Sequence, residues 1–360
     1  MDKFPESTVK ALIGLACGDA FGAPFEYHPK AASYAILSVE EGRYLNADDG
    51  GIKPSRARVP GLYTDDTQQA LAMLWVWRQL VLKDKDPTDA DLFVQVLRRV
   101  FDRMAKSRIG PFGVHRGTGR NFRSAVENGT PLDTAGMGAA MRIGPVATLW
   151  PMEKIEDLWA WVFRVSEVTT TNQLSKDAAG MLANHVWLSK DGWKWPPPQQ
   201  AKRGLVPNVF YPEDQEDRRG HYHLQRCLNK VDWRGEEAML EYARGTGMAN
   251  KELKRAANGF AMTGIPWVIH CVREADSYED AMLRVCSSGG DTDTVAAMAG
   301  CLAAVNDHSP PLWMTKGLVG YEHLIKPHTW HPIASEEPLT KMERDLRRER
   351  KKNEPKPQAP

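Results

Sequence analysis

The sequence of 360 residues predicts an all-α protein. Apolar residues recur at three- and four-residue spacing through most of its regular segments, which is the period of an amphipathic helix. Alternation of apolar and polar residues, typical of a half-buried strand, is almost absent. Hydrophobic residues make up 42% of the chain and charged residues 26%, a balance typical of a globular protein with a buried core.

The helices are predicted in chain order from these periodic runs. The first covers 7–20 and has Ser7 as its candidate N-cap. The second covers 67–82 and is apolar nearly all round, which is typical of a buried central helix. The remaining predicted helices cover 89–105, 155–168, 176–188, 235–247, 260–275, 278–288 and 293–305. No clear linker interrupts them, so we expect a single domain over residues 5–330.

Two segments differ from the rest of the chain. Residues 191–223 are rich in proline, tryptophan and charge, and three consecutive prolines exclude a helix there. We expect a long surface excursion, which is either a functional lid or partner surface or a tolerated insertion. His221 and His223 are expected to be surface residues within it. Residues 335–360 form a charged tail that we expect to be disordered, since it has little apolar surface to bury.

Composition limits the expected partners and compartment. The net charge of +1 gives no electrostatic reason to expect nucleic-acid binding. The N-terminus lacks the pattern of a signal peptide, and no apolar run reaches the roughly 20 residues of a membrane span. The five cysteines are widely spaced and form no Cys-x-x-Cys pair, which is typical of free thiols in a reducing compartment. The sequence therefore predicts a cytoplasmic protein with no membrane partner.

Two acidic clusters stand directly before predicted helices. Thr64–Thr67 reads TDDT, and Ser287–Gly300 reads SSGGDTDTVAAMAG. Asp and Thr are good helix N-caps, so capping is the alternative explanation for either cluster alone. Four carboxylates with their hydroxyls exceed what two caps need, however, and neither cluster contains a lysine or arginine. Oxygen ligands without His or Cys favour hard cations such as Mg²⁺ or Mn²⁺.

A dinuclear site is the natural result if the two helix starts meet in space. Asp65 and Asp66 diverge by about 100° on a helix, so they can serve two cations, or one cation and a water. Asp291 and Asp293 would then bracket the site from the other side. Oxygen-ligated pairs of cations of this kind are used for hydrolysis.

Both acidic segments resemble the signature segments of the ADP-ribosylglycohydrolase family. That family includes the dinitrogenase-reductase-activating glycohydrolase and the ADP-ribosylarginine and ADP-ribosylserine hydrolases. Three further segments match it in order: LIGLACGDAFGAPFE at 12–26, GAAMRIGPVATL at 138–149 and PPLW at 310–313. The resemblance extends from about residue 8 to about residue 315.

The resemblance implies an orthogonal multi-helix fold that holds two Mg²⁺ or Mn²⁺ ions and hydrolyses the bond at the anomeric carbon of protein-linked ADP-ribose. Arginine-linked ADP-ribose is the leading expected substrate. The implied metal ligands are Thr64, Asp65, Asp66, Asp291, Asp293 and Thr294. The implied catalytic residues are Glu26, Asp65, Asp66 and Asp293, of which Glu26 is the family's mobile acidic residue. The implied nucleotide-binding residues are Gly136, Gly138, Ser288, Gly289 and Gly290.

Some positions depart from the family pattern or admit two explanations. Met137 stands where the family has Asn in the middle turn, and Thr171 stands where it has His. Both family residues line the nucleotide pocket, so the departures affect the adenosine contacts and leave the metal centre intact. Phe112 and Tyr27 could stack on adenine or pack within the protein. Asp19 either supports the site through a second layer of hydrogen bonds or bonds a helix end.

Alternatives to this function remain open at the level of sequence. One is a non-catalytic relative that keeps the fold and binds ADP-ribose or a partner, and another is a hydrolase of a different ADP-ribose linkage. A third is a metal-dependent phosphohydrolase of another all-helical class, although such enzymes normally mix His with Asp. All six implied ligand positions are filled, which favours the enzyme.

Overall fold

The computed structural model describes residues 4–45, 59–107, 109–110, 113–114, 118–190, 192, 219–249 and 252–326. Within these ranges almost all regular structure is helical, which confirms the predicted all-α class. Two strands of two residues each, β1 (Ile109–Gly110) and β2 (Gly113–Val114), pair antiparallel with Ile109 opposite Val114. Of the predicted features, Phe112, most of the 191–223 excursion and the tail after 326 lie outside the described residues.

The described α-helices lie between Glu6 and Leu324. Their bounds are α1 Glu6–Gly22, α2 Ala31–Glu40, α3 Asp65–Leu82, α4 Ala90–Ser107, α5 Arg120–Glu127, α6 Gly144–Ala147, α7 Leu158–Ser166, α8 Gln173–Ser189, α9 Arg219–Gly245, α10 Ala261–Arg273, α11 Tyr278–Ser287, α12 Thr292–Val305, α13 Leu312–Gly317 and α14 Tyr321–Leu324. No described helix has the length and apolarity needed to cross a membrane.

Helices α1 and α12 form the centre of the fold and run antiparallel at very close range. Glycines at every fourth position of α1, starting at Gly14, leave one face of the helix without side chains. A Cβ on Gly18 would lie 2.0 Å from the carbonyl oxygen of Ala296, and one on Gly22 would lie 2.1 Å from that of Thr292. Because only glycine fits there, the end of α1 lies directly beside the start of α12.

Around this central pair, the other helices complete one hydrophobic core. Helix α3 packs on α4, α4 packs on α7, and α8 packs against α7, α9 and α10. Aromatic rings fill the junction of α3, α4 and α7: the Trp161 ring lies 4.8 Å from Phe93, 5.3 Å from Trp150 and 6.1 Å from Trp77. This core fixes α3, which carries the first acidic cluster, relative to the central pair.

The N-terminus of α1 differs from the prediction. The helix begins at Glu6, Pro5 stands at its N-cap position, and no side chain caps it. Ser7 lies inside the first turn, so its prediction as the cap is wrong. The Pro5 carbonyl accepts the Val9 N–H at 3.1 Å, which closes the first turn of the helix.

Helix α9 begins sixteen residues before the predicted 235–247 segment, at Arg219. It includes Gly235 in a left-handed conformation at φ 80°. The helix therefore includes residues 219–223 of the expected excursion. The prediction that His221 and His223 are surface residues is wrong. Both are half-buried: the His221 ring packs on Trp159 at 5.5 Å, and His223 Nδ1 lies 2.8 Å from the hydroxyl of Tyr242.

Candidate metal and active site

Asp19 holds the start of α3 in place from α1. Its carboxylate accepts hydrogen bonds from the backbone N–H groups of Thr64 at 2.9 Å and Thr67 at 3.1 Å, and from the Thr67 hydroxyl at 2.6 Å. Asp19 is fully buried, and burial raises its pKa while these hydrogen bonds oppose that rise. Its side chain bonds the helix end that carries Asp65 and Asp66, which is one of the two explanations considered for it, and its support of a metal site stays a prediction.

The Gly289–Gly290 turn sets the position and direction of the start of α12. Both glycines have positive φ, and a Cβ on Gly290 would lie 2.0 Å from the Ala257 carbonyl oxygen. That carbonyl accepts the Asp291 N–H at 2.6 Å, and the Gly290 carbonyl accepts the Tyr27 N–H at 2.6 Å. The turn therefore fixes Asp291 and the segment around Tyr27 against each other.

The two acidic helix starts meet in one cavity of about 470 Å³. Five of the sequence-predicted carboxylates line it, together with one hydroxyl: Glu26, Asp65, Asp66, Asp291, Asp293 and Thr294. Among them, Glu26, Asp291 and Asp293 each place one carboxylate oxygen within 4.8 Å of the others. The cavity thus brings together side chains from three distant segments of the chain.

The electrostatics of this cavity favour a bound cation. Burial, followed by the charges of neighbouring carboxylates, raises the pKa of Asp66 and of Asp293 well above the ordinary value of an aspartate. Asp66 Oδ1 is buried and has no hydrogen-bond partner among the described residues. Its other oxygen, Oδ2, accepts the Thr64 hydroxyl at 3.0 Å. An all-oxygen set with an unpartnered buried carboxylate oxygen fits a hard divalent cation.

The two predicted threonine ligands are placed differently. The Thr294 side chain lines the cavity, and its backbone N–H donates to Asp293 Oδ1 at 3.0 Å. Thr64 does not line the cavity, because its hydroxyl is turned towards Asp66. Direct ligation by Thr64 stays a prediction, and in this structure its hydroxyl orients a neighbouring carboxylate.

The predicted glycine turn also lines the cavity. Gly136 and Gly138 belong to the lining, and a Cβ on Gly138 would meet nothing within 4 Å. Ser175 fixes the turn by donating its hydroxyl to the Gly136 carbonyl at 2.7 Å. Beside the turn, Arg120 is exposed and Asn121 accepts the Thr134 hydroxyl at 2.7 Å. The lining therefore contains hydrogen-bond donors and an arginine as well as the carboxylates.

Three predicted nucleotide-binding residues lie outside the cavity lining. The Ser288 hydroxyl donates to Glu236 at 2.6 Å, while Gly289 and Gly290 shape the turn before α12. Their place in nucleotide binding stays a prediction, and the contacts show a role in local structure. Tyr27 lines the cavity and is 42% exposed at φ 52°, so its ring is accessible there.

The two departures from the family pattern have simple structural consequences. Met137 extends into the core, where its sulfur would lie 2.1 Å from a Cβ on Gly264, so glycine at 264 makes room for it. Thr171 is exposed and does not line the cavity, while the preceding Thr169 and Thr170 do. Near the position where the family pattern has His, the cavity is therefore lined by small hydroxyl side chains.

Sequence reasoning missed a buried polar chain in the cavity wall. Arg142 is 1% exposed and donates to Gln69 Oε1 at 2.9 Å and to the Thr169 hydroxyl at 2.8 Å. Gln69 in turn donates from Nε2 to Asp65 Oδ2 at 2.8 Å. The available signal was a lone arginine within the apolar run GAAMRIGPVATLW, since an arginine is rarely buried without partners.

Comparison with known proteins finds a family and several similar chains. A model of the family described as ADP-ribosylglycohydrolase matches residues 2–309. The ADP-ribosyl-[dinitrogen reductase] glycohydrolase of Rhodospirillum rubrum is 26% identical over 314 residues, covering 85% of this chain and 88% of that protein. Uncharacterized protein YegU of Escherichia coli strain K12 is 27% identical over 329 residues, covering 85% and 90%. A solved ADP-ribosylglycohydrolase-related protein complex chain superposes with a TM-score of 0.50 at 20% identity, covering 94% of this chain and 98% of that chain.

Proposed function

The chain belongs to the ADP-ribosylglycohydrolase family, and on that premise we propose that it removes ADP-ribose from a modified protein side chain, most readily from arginine, with the help of two divalent cations. Its enzyme class, a glycohydrolase acting on ADP-ribose, follows from family membership. The observation that carries the proposal is the meeting of two acidic helix starts in one cavity, with the Asp66 Oδ1 oxygen left without a partner.

The residues fit a pair of Mg²⁺ or Mn²⁺ ions. The carboxylates of Asp65, Asp66, Asp291 and Asp293 and the Thr294 side chain would hold them, because hard cations prefer oxygen ligands. When bound, such ions supply polarisation of ribose hydroxyls and of a water molecule. They would also offset the repulsion that the buried carboxylates exert on one another.

The protein's own groups then carry out the proton transfer and orientation. Glu26 lies with Asp291 and Asp293 at the cation-binding end of the cavity, where its carboxylate can take a proton from the attacking water. That water adds to the anomeric carbon as the bond to the side-chain nitrogen breaks. Asp19 fixes the start of α3, which carries Asp65 and Asp66. These two carboxylates hold the ribose end of the substrate in position.

The diphosphate of ADP-ribose suits the glycine turn of the cavity lining. Gly138 and Ala139 line the cavity, and their backbone N–H groups make no hydrogen bond to another described residue. Arg120 likewise makes no ion pair with the described residues. Free donors and a cation are what a diphosphate requires, whereas the acidic wall would repel it. The substrate would therefore lie with its ribose on the carboxylates and its phosphates on the glycine turn.

Arginine is proposed as the modified side chain on the sequence resemblance, because the charge of the cavity does not select a linkage. Among the described residues, five carboxylates and two arginines line it, and two bound divalent cations would bring its net charge close to zero. The name of the Rhodospirillum rubrum relative describes removal of ADP-ribose from a protein and names no linkage.

A panel of arginine-, serine- and aspartate-linked ADP-ribose peptides tests the proposal. Each would be incubated with the full chain and Mg²⁺, then with Mn²⁺, and then with excess chelator, while released ADP-ribose is measured. We expect the fastest release from the arginine-linked peptide and none after chelation. Release that survives chelation would exclude the cation-dependent mechanism. Binding of ADP-ribose without any release would identify the non-catalytic relative.

A further inference from the structure

Arg142 is a buried cation in the wall of an acidic cavity, yet its guanidinium ends on neutral groups. Its two Nη atoms donate to the Gln69 amide oxygen at 2.9 Å and to the Thr169 hydroxyl at 2.8 Å. Within the described ranges, no ion pair of 4.0 Å or less joins it to a carboxylate. The neutral amide of Gln69 stands between this arginine and Asp65.

The chemistry of these groups fixes the orientation of the amide. A guanidinium only donates hydrogen bonds, so the Gln69 oxygen must face Arg142. The amide Nε2 must then face the other way, where it donates to Asp65 Oδ2 at 2.8 Å. Gln69 is 1% exposed, and buried polar groups of this kind are normally hydrogen-bonded within the protein. One oxygen of Asp65 is thus held in a set direction.

We propose that Arg142 and Gln69 are positioning residues that orient Asp65 for cation binding while keeping the guanidinium from neutralising it. The inference rests on the proposed function and extends it beyond the residues that touch a cation. A direct arginine–aspartate pair would place a fixed positive charge where a divalent ion should bind. An intervening amide transmits orientation through one hydrogen bond and leaves the negative charge of the carboxylate available.

The planar, forked guanidinium of Arg142 is the feature that allows it to hold two partners at once. One guanidinium spans two partners on different segments, Gln69 of α3 and Thr169 ahead of α8, and it also lies 5.3 Å from the centroid of the Phe101 ring. A lysine ammonium carries the same charge but lacks this planar geometry. Burial lowers the pKa of Arg142 to about 9, so the side chain still carries its charge at neutral pH.

Substitution of Arg142 by lysine tests the proposal because it keeps the charge and removes the fork. Mn²⁺ binding would be measured by titration calorimetry on the full chain without substrate. We expect Arg142→Lys to bind Mn²⁺ about 10- to 100-fold more weakly than the wild type, the size of effect seen when supporting partners of metal ligands are lost. At saturating Mn²⁺, kcat should fall while KM for the ADP-ribosylated peptide changes little.

The matched control is Arg273→Lys, another buried arginine that donates to a carboxylate, that of Asp232, and does not line the cavity. It should lower thermal stability and leave the affinity for Mn²⁺ unchanged. A purely structural role for Arg142 predicts this same pattern for Arg142→Lys, and that result would overturn the proposal.

The Arg142→Gln variant distinguishes a positioning role of Arg142 from an effect of its charge alone. Loss of a positive charge beside an acidic site should strengthen Mn²⁺ binding if charge alone matters, whereas loss of orientation should weaken it. Stronger binding would contradict the proposal.

A variant at 142 that does not fold, as judged by circular dichroism, would be replaced by Gln69→Met. This substitution retains the side-chain volume and should also weaken Mn²⁺ binding. Unchanged affinity would overturn the proposal. A wild type that binds no Mn²⁺ would instead refute the proposed function.

Discussion

Two regions of the described structure that contain buried carboxylates differ in what faces them. In the cavity, Asp66 and Asp293 lie among other carboxylates, and Asp66 has an oxygen without a partner among the described residues. Between α9 and α10, Asp232 accepts Arg273 Nη1 at 2.7 Å and lies 2.8 Å from His270 Nδ1.

The difference indicates what each region contributes. A buried carboxylate with an arginine is satisfied within the protein, so the Asp232 cluster serves the packing of α9 on α10. Like charges held together without a cation oppose folding, so stability does not explain the cavity carboxylates. Changes in one region should therefore alter function, and changes in the other should alter stability.

The largest effect should come from removing one charge in the cavity. Asp293→Asn keeps the side-chain shape, and release of ADP-ribose from the arginine-linked peptide should fall by about 10⁴-fold, as when a residue of a catalytic group is lost. The free energy of unfolding without cation should stay the same or rise, because a repulsive charge is gone. Glu40→Gln, an exposed change at the end of α2, is the control and should leave both quantities unchanged.

The opposite result is expected for Asp232→Ala. The substitution leaves the buried Arg273 guanidinium without its carboxylate, which should cost about 3–5 kcal/mol of unfolding free energy. Urea denaturation measures this loss, and titration with Mn²⁺ should give the wild-type affinity. A stability change below about 1 kcal/mol would show that the cluster is not the stabilising counterpart of the cavity.

The pH dependence of stability should distinguish the regions further. Burial raises the pKa of Asp66 and Asp293 above their unfolded values, so the folded chain keeps protons that the unfolded chain releases as pH rises from about 4. Without cation, the free energy of unfolding should therefore decrease with rising pH until both groups are ionised. The Asp66→Asn/Asp293→Asn variant should show a flatter curve in urea denaturation at a series of pH values. Identical curves would mean that these carboxylates do not oppose folding.

The smallest effect should come from an ion pair in water. Lys154 Nζ lies 2.8 Å from Asp86, and both side chains are largely exposed. Lys154→Ala should cost less than about 1 kcal/mol, since exposed pairs are screened by solvent. Mn²⁺ affinity should stay unchanged. A loss as large as that of Asp232→Ala would show that burial is not what separates strong from weak pairs here.

Much of the fold was predictable from local pattern, and the failures have local causes. The all-α class and most helices follow from periodicity, which reflects contacts three and four residues apart. The first half of α9 was missed because the proline-rich segment before it is typical of a break, whereas the predicted segment began at Gly235, where non-helical backbone angles kink the helix. The errors at His221 and His223 follow from the same break.

For the site, the sequence supplied the acidic residues but not their supporting contacts. Asp65, Asp66, Asp291 and Asp293 were predicted to face one another, and the structure places them in one cavity. Their role as ligands stays a prediction. Arg142 and Gln69 were missed because their hydrogen bond joins positions 73 residues apart, and no local pattern encodes such a pair.

The sequence by itself determined the helical class and supplied the acidic residues of the site, because helix periodicity and side-chain identity are both local properties of the chain. The tertiary structure alone decided that two acidic helix starts share one cavity. It also decided that a glycine face allows α1 to lie against α12, and that a buried amide separates Arg142 from Asp65. These facts depend on how closely whole helices pack, which is settled by the shape of the complete core rather than by any single segment.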